Sequence, residues 1–269
     1  MIRSYRMMDV IPTINDIPKE QLTREIIEHS IKISPRYLVE LYNSPVTRKF
    51  VDYDLCKLAV ENKVHCSIEY VPETFRDIQL IIKSLECNPN NIKWLLDRNL
   101  ANYDMLVLAI RKDPMLIRYV NTNNEYYEHL CDLAVSVNGL SIEHINEQFI
   151  TNKLCETAVL NEGWSIKLIP DNYKTKSLWN LAVHQNGKIL LDVPHDIVID
   201  NIPNIRVDKV CYKSKPCKHN VTIGNHSLNF VGERTIKQLL DRWNKQSNDM
   251  YDHFNSHQDV SSVGEYVFT

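Results

Sequence analysis

Leu130-Cys131-Asp132-Leu133-Ala134-Val135 and Leu178-Trp179-Asn180-Leu181-Ala182-Val183 are two copies of one phrase, and that phrase decides the fold. Leu55-Cys56-Lys57-Leu58-Ala59-Val60 and Leu154-Cys155-Glu156-Thr157-Ala158-Val159 repeat it, and Met105 to Ile110 is a looser copy. With the small residue as reference, the series is Ser30, Ala59, Ser84, Ala109, Ala134, Ala158 and Ala182, in steps of 29, 25, 25, 25, 24 and 24 residues. A steady period within roughly 20 to 50 residues marks an array whose units bury their apolar faces only against neighbours. The spacing therefore predicts an all-α solenoid of about seven short helix-turn-helix repeats.

Inside a unit, Leu130, Leu133, Ala134 and Val137 fall at i, i+3, i+4 and i+7, one face of a helix. Seven residues before the reference lie Thr23, Asp52, Asp77, Asn102, Tyr127, Thr151 and Thr175; all but Tyr127 carry a short side-chain oxygen suited to an N-cap. Asn138-Gly139, Glu162-Gly163 and Asn186-Gly187 follow the helix, and glycine there is expected to supply a left-handed helix end. Earlier copies use Ser34-Pro35, Asn88-Pro89 and Asp113-Pro114, a proline at the first position of the next turn. A second apolar piece comes next, with room for about two helical turns, and Pro72, Pro170 or Pro194 closes several units. The small reference residue is expected where two helices cross closely, so Ala134→Leu should cost about 1 to 3 kcal/mol by overpacking.

The pattern Leu-Cys-x-Leu-Ala-Val-x-x-Asn-Gly, followed by an apolar patch and Val-Pro or Ile-Pro, resembles the short helical repeats of a family of unknown function. That family occurs in giant DNA viruses of amoebae and in some amoeba-associated intracellular bacteria. The likeness covers about residues 23–200; its best copies are Leu130 to Asn146, Leu154 to Pro170 and Leu178 to Pro194, while the units around Ser30 and Ser84 lack Leu-Ala-Val. It implies a helical-repeat fold and a viral or host-directed protein, and it is silent on chemistry. Richness in Asn, Ile, Lys and Tyr beside only 6 glycines is consistent with an AT-rich genome of that kind.

The array divides the 269 residues into an N-terminal cap (1–22), the repeats (23–200) and a C-terminal basic capping segment with a polar tail (201–269). At 43% apolar and 24% charged residues the composition is that of a globular chain, not a disordered one. No run approaches the roughly 18 to 20 apolar residues of a membrane span, and no secretory signal follows Met1, so an intracellular address, host cytoplasm or virion, is expected. The 7 cysteines are then reduced; Cys56, Cys131 and Cys155 share one repeat position, which reads as apolar core.

Past Pro194 the period fails. His195 to Asp200 and Val221 to Ile223 alternate as strands do, with turn residues at Asn201, Pro203, Gly224 and Asn225, which predicts a small hairpin or irregular cap. Ile236, Leu239, Leu240 and Trp243 then predict a helix over Thr235 to Lys245, and the polar tail beyond it is held only if Tyr266, Val267 and Phe268 dock. Between residues 204 and 245 there are nine basic residues, Lys213, Lys215 and Lys218 among them, against Asp208, Glu233 and Asp241, a net +6 on a chain whose total is −3. Such a segment suits phosphates or an acidic protein, and equally a solvated face. Cys211, Cys217, His219 and His226 are zinc-type ligands at a spacing without the tight C-x2-4-C knuckle, so no metal and no cofactor is expected. No phosphate loop, nucleophile elbow or HExxH occurs.

The expected function is a non-enzymatic scaffold or adaptor that binds another protein along one face of the array, with no membrane attachment. Trp94, Trp164, Trp179, Tyr126 and Tyr127 are candidate partner-binding rings, though such rings are more often core than anchor, and Lys213, Lys215 and Lys218 are candidate contacts. The alternative is a nucleic-acid or ribonucleoprotein component working through that basic segment.

Overall fold

The computed structural model describes residues 22–62 and 66–194, the backbone of four strands beyond them, and the isolated positions Pro18, Ile197, Ile199 and Gln238. The chain divides into two compact units, Met1–Asn121 and Thr122–Thr269. The first holds α1 (Arg24–Ile33), α2 (Tyr37–Asn43), α3 (Tyr53–Val60), α4 (Ile78–Cys87), α5 (Asn91–Leu96) and α6 (Tyr103–Lys112). The second holds α7 (Tyr127–Val137), α8 (Asn152–Asn161) and α9 (Lys176–Gln185). The described chain is mostly helical.

Helix starts follow the polar series. Thr23, Asp52, Asp77, Asn102, Thr151 and Thr175 stand in extended backbone, and each accepts from the amide three residues on, at 2.8 to 3.4 Å. α7 is different. Asn124 accepts from the Tyr126 amide through its side chain (2.9 Å) and from the Tyr127 amide through its carbonyl (3.0 Å). Tyr127 is thereby freed for the core, 3% exposed and edge-on to Phe149 with ring centres 4.8 Å apart.

Helix ends are equally regular. In α1, α4, α6, α7, α8 and α9 the amide four residues past the small reference position donates to that residue's carbonyl, as Asn138 does to Ala134 at 2.9 Å. The closing residue itself is extended, and neither Gly139 nor Gly163 has a positive φ. Glycine is required by space instead. A Cβ on Gly139 would land on the Ala158 carbonyl oxygen of the following helix, and one on Gly163 would come within 2.5 Å of Gln185 Oε1 and 2.9 Å of Ile189 Cδ1. The left-handed conformation occurs elsewhere among the described non-glycine residues, at Asn99 (φ 56°).

In five repeats the second piece is wound more tightly than expected. It is α-helical in α2 and α5 but 3-10 at Ile68–Tyr70, Pro114–Tyr119, Gly139–His144, Gly163–Lys167 and Gly187–Leu191. Asp113, Asn138 and Asn186 start three of these turns by accepting from the amide two residues on, at 3.0 to 3.2 Å, and Asn88 does the same at 3.1 Å ahead of α5. A third piece is a single 3-10 turn before the next helix, at Arg48–Phe50, Glu73–Phe75, Glu147–Phe149 and Asp171–Tyr173. Each ends on a half-buried aromatic residue nine positions before the reference.

In the first unit α1 packs on α3, α3 on α4 and α4 on α6; in the second α7 packs on α8 and α8 on α9. Ala59, Ser84, Ala109, Ala134, Ala158 and Ala182 are fully buried at these contacts, and Ser30 is half-buried. Side-chain amides tie successive helices: Asn62 Nδ2 donates to the Lys32 carbonyl and Asn161 Nδ2 to the Ser136 carbonyl, both at 2.6 Å. These bonds satisfy carbonyls that a helix end leaves open.

Within the second unit, β1 (Ile205–Val210), β2 (Lys218–Ile223), β3 (His226–Val231) and β4 (Tyr266–Val267) form an antiparallel sheet in the order β3-β2-β1-β4. β2 and β3 pair across Gly224 and Asn225, with Ile223 opposite His226. Tyr266 and Val267 pair with Val207 and Arg206. The alternating stretch at 195–200 is a departure from expectation: Ile197 and Ile199 lie in no strand, and Ile199 is buried. The helix expected over Thr235 to Lys245 and the cap at 1–22 fall, apart from Pro18, Leu22 and Gln238, outside the described residues.

Candidate functional site

A depression lined by charge and aromatic rings lies inside the first unit. Three repeats contribute. Arg36 comes from the turn before α2, Glu69, Tyr70 and Arg76 from the 3-10 turns before α4, and Trp94 and Arg98 from α5 and its end. The depression encloses about 350 Å³, with Val39 completing its wall.

Its geometry is held by the backbone. Arg76 Nε donates to the Val71 carbonyl at 2.6 Å and one of its terminal nitrogens to the Glu69 carbonyl at 3.3 Å. Arg98 donates to the Trp94 carbonyl at 3.5 Å. The guanidinium carbons of Arg76 and Arg98 stand 4.5 and 4.1 Å from the centre of the Trp94 indole, within cation–π range. Burial lowers the pKa of the Arg76 guanidinium, the Glu73 carboxylate opposing and the Arg98 charge adding to the fall. Among the described residues none of Arg36, Arg76 and Arg98 makes an ion pair. The arrangement presents N–H donors and an excess of positive over negative charge, which is chemistry for an oxyanion.

The expected anchors separate. Trp94 is half-buried and stands in this depression. Trp164, in the second unit, is half-buried under the Lys167 ammonium at 4.5 Å from its ring, and Lys167 in turn pairs with Asp192 at 2.9 Å. Trp179 is a correction: at 5% exposed it is a core side chain on the inner face of α9, and no surface contact is left to it. Tyr126 is 41% exposed, whereas Tyr127 is core. Lys213 and Lys215 lie outside the described residues, and Lys218 opens β2 opposite Val210. Cys211 and Cys217 also lie outside them, while His219 and His226 stand on β2 and β3. Among the described residues no three His, Cys, Asp or Glu side chains gather as metal ligands, and no helix is long and apolar enough to cross a membrane.

Arg36, Arg76 and Arg98 went unnoticed in the sequence because they occupy turns, at different offsets in three repeats. A partial signal is the aromatic residue near the end of two second pieces with a cation just before it, Lys93-Trp94 and Arg118-Tyr119; Tyr70, flanked by Glu69 and Val71, lacks it. Lys93 and Arg118 stand 4.2 and 5.6 Å from the Tyr119 ring centre in the same manner. The buried thiols carry no such chemistry. Burial pushes Cys56 and Cys131 up to about 12 and Cys155 up to about 11, so they stay protonated and inert.

The fold and site thus describe a mainly helical protein with an arginine and tryptophan depression. No protein-family model, no curated protein and no solved structure matches this chain.

Proposed function

We propose that the chain is a non-enzymatic helical-repeat scaffold, a solenoid of about seven units, that binds another protein along one exposed face. One observation carries the reading. Six of the seven repeats bury the small reference residue, and all seven expose the position two residues past it, a series that runs Lys32, Glu61, Glu86, Arg111, Ser136, Leu160 and His184. Buried positions repeat because stacking demands it; exposed ones that vary in charge and size from unit to unit give a surface with a specific pattern and no common chemistry. Leu160, 61% exposed, is the most open large apolar side chain described. Short turns and dense backbone hydrogen bonding hold these side chains in place, so little ordering entropy is lost on binding. The relation to the giant-virus repeat family belongs to the same reading, resting on the sequence pattern alone.

Affinity purification of the tagged full chain from its native cell, with mass spectrometry, tests this. A stoichiometric partner should appear, and a Glu61→Lys, Glu86→Lys, Arg111→Glu variant should capture at least tenfold less of it. Undiminished capture by that variant, or capture abolished by nuclease and steeply weakened by salt, would overturn the reading in favour of nucleic-acid binding.

A further inference from the structure

We infer that the depression around Trp94 is the docking site for a phosphorylated side chain of the protein partner, its dianion held by Arg36, Arg76 and Arg98. The inference rests on the scaffold reading and names the group that the partner presents. The lining holds three guanidiniums and the one carboxylate of Glu69, with Glu73 acting on Arg76 from just outside it, so the depression faces an incoming phosphate monoester with an excess of positive charge.

The donors stand ready. Two of Arg76's five N–H groups are spent on the Val71 and Glu69 carbonyls, and one of Arg98's on the Trp94 carbonyl. The others are free to bind a planar pair of oxygens, as guanidinium forks do. Trp94 fixes two of the three cations at 4.5 and 4.1 Å from its ring centre, so little side-chain freedom remains to be lost. Arg76 is half-buried beside Arg98 with no carboxylate paired to it, an arrangement that an incoming anion relieves.

Compactness selects the monoester over a polyanion. Glu69 lines the depression, Glu73 acts on Arg76 from the same turn, and Asp97 precedes Arg98 in the chain. A run of acidic residues or a nucleic-acid strand continuing past the arginines would meet these carboxylates. Bases would also find the Trp94 ring already occupied by guanidinium, which removes the stacking platform that single strands use. A single phosphorylated residue meets neither obstacle, and Val39 and Tyr70 offer an apolar wall to its neighbours.

The test is fluorescence anisotropy on the full chain with labelled randomised peptides centred on phosphoserine, phosphothreonine or phosphotyrosine. Unphosphorylated and glutamate-centred mixtures, inorganic phosphate, phosphoinositide vesicles and a single-stranded oligonucleotide serve as comparisons. At least one phosphorylated mixture should bind tenfold or more tighter than every comparison. Arg98→Ala and Arg36→Ala, both at exposed positions, should each remove that preference while circular dichroism and Tm stay unchanged. Equal binding of the unphosphorylated mixture, of inorganic phosphate, of the vesicles or of the oligonucleotide would overturn the inference, as would full preference in Arg98→Ala. Failure of the parent reading is distinguishable: a partner still captured from cells after phosphatase treatment and by Arg98→Ala sinks this inference alone, whereas no captured partner sinks the scaffold itself.

Discussion

Gly139 and Gly163 occupy the same place in successive repeats, yet their surroundings set different costs for a methyl group. At Gly139 the obstacle is the Ala158 carbonyl, backbone that moves only with its helix; at Gly163 it is first the tip of the Gln185 side chain, which can swing aside at the loss of its hydrogen bond from the Gly163 amide, with the Ala182 carbonyl oxygen behind it at 3.0 Å. Gly139→Ala is expected to lose about 3 kcal/mol in urea unfolding and Gly163→Ala about 1 kcal/mol, both from overpacking, and equal losses would contradict the assignment. Glycine was legible as a turn residue, but the reason was not. Close approach of the next helix is a tertiary fact, while the local alternative, a left-handed end, needs only the dipeptide. The thiols at Cys56, Cys131 and Cys155 make a second case. Their folded pKa values, about 11 to 12, lie above the ordinary thiol value near 8.5. The folded state therefore keeps protons that the unfolded chain releases. Their contribution is fully present below the unfolded pKa and declines between about pH 9 and 12, by up to about 1.4 kcal/mol per pH unit for each thiol. Unfolding free energies measured from pH 7 to 11 should fall more shallowly in a Cys56→Ala, Cys131→Ala, Cys155→Ala variant than in the parent chain.

Among elements, the helix starts were the most legible feature, because a cap and the three residues it serves are contiguous. Six side-chain oxygens marked six first turns, and each of the six accepts the expected amide. Asn102→Ala should accordingly lose about 1 kcal/mol by thermal unfolding. The seventh position reverses the rule. Restoring the pattern with Tyr127→Thr should destabilise by about 2 to 4 kcal/mol, since it empties a buried ring site against Phe149 and Asn124 already serves the amides. A rise in Tm would mean that the cap outweighs the ring. The 3-10 winding of the second pieces escaped the sequence because pieces of three to six residues are too short to show either period. An Asx turn does not decide it, since Asp113, Asn138 and Asn186 make one ahead of 3-10 pieces while Asn88 makes the same turn ahead of the α-helical α5. The arginine depression was illegible for a related reason. A guanidinium reaches a ring by rotamer, and the residues concerned come from three separate turns.

At the scale of the molecule, packing passes from each helix to its successor, α1 to α3 to α4 to α6 in one unit and α7 to α8 to α9 in the other. Stability built from neighbour contacts is approximately a sum of local terms, so damage at one repeat should spread only as far as its interfaces carry it. Gly139→Ala strikes the contact between the Gly139–His144 turn and α8. Hydrogen exchange followed by mass spectrometry should then show faster exchange in peptides from α7, α8 and α9, while those from α1, α3 and α4 keep their wild-type protection. The gradient matters as much as the location. Amides of α8, at the struck contact, should accelerate most and those of α9, one interface away, less. Uniform acceleration across all the helices would mean that the chain opens as one cooperative body, and a nearest-neighbour account of its stability would fail.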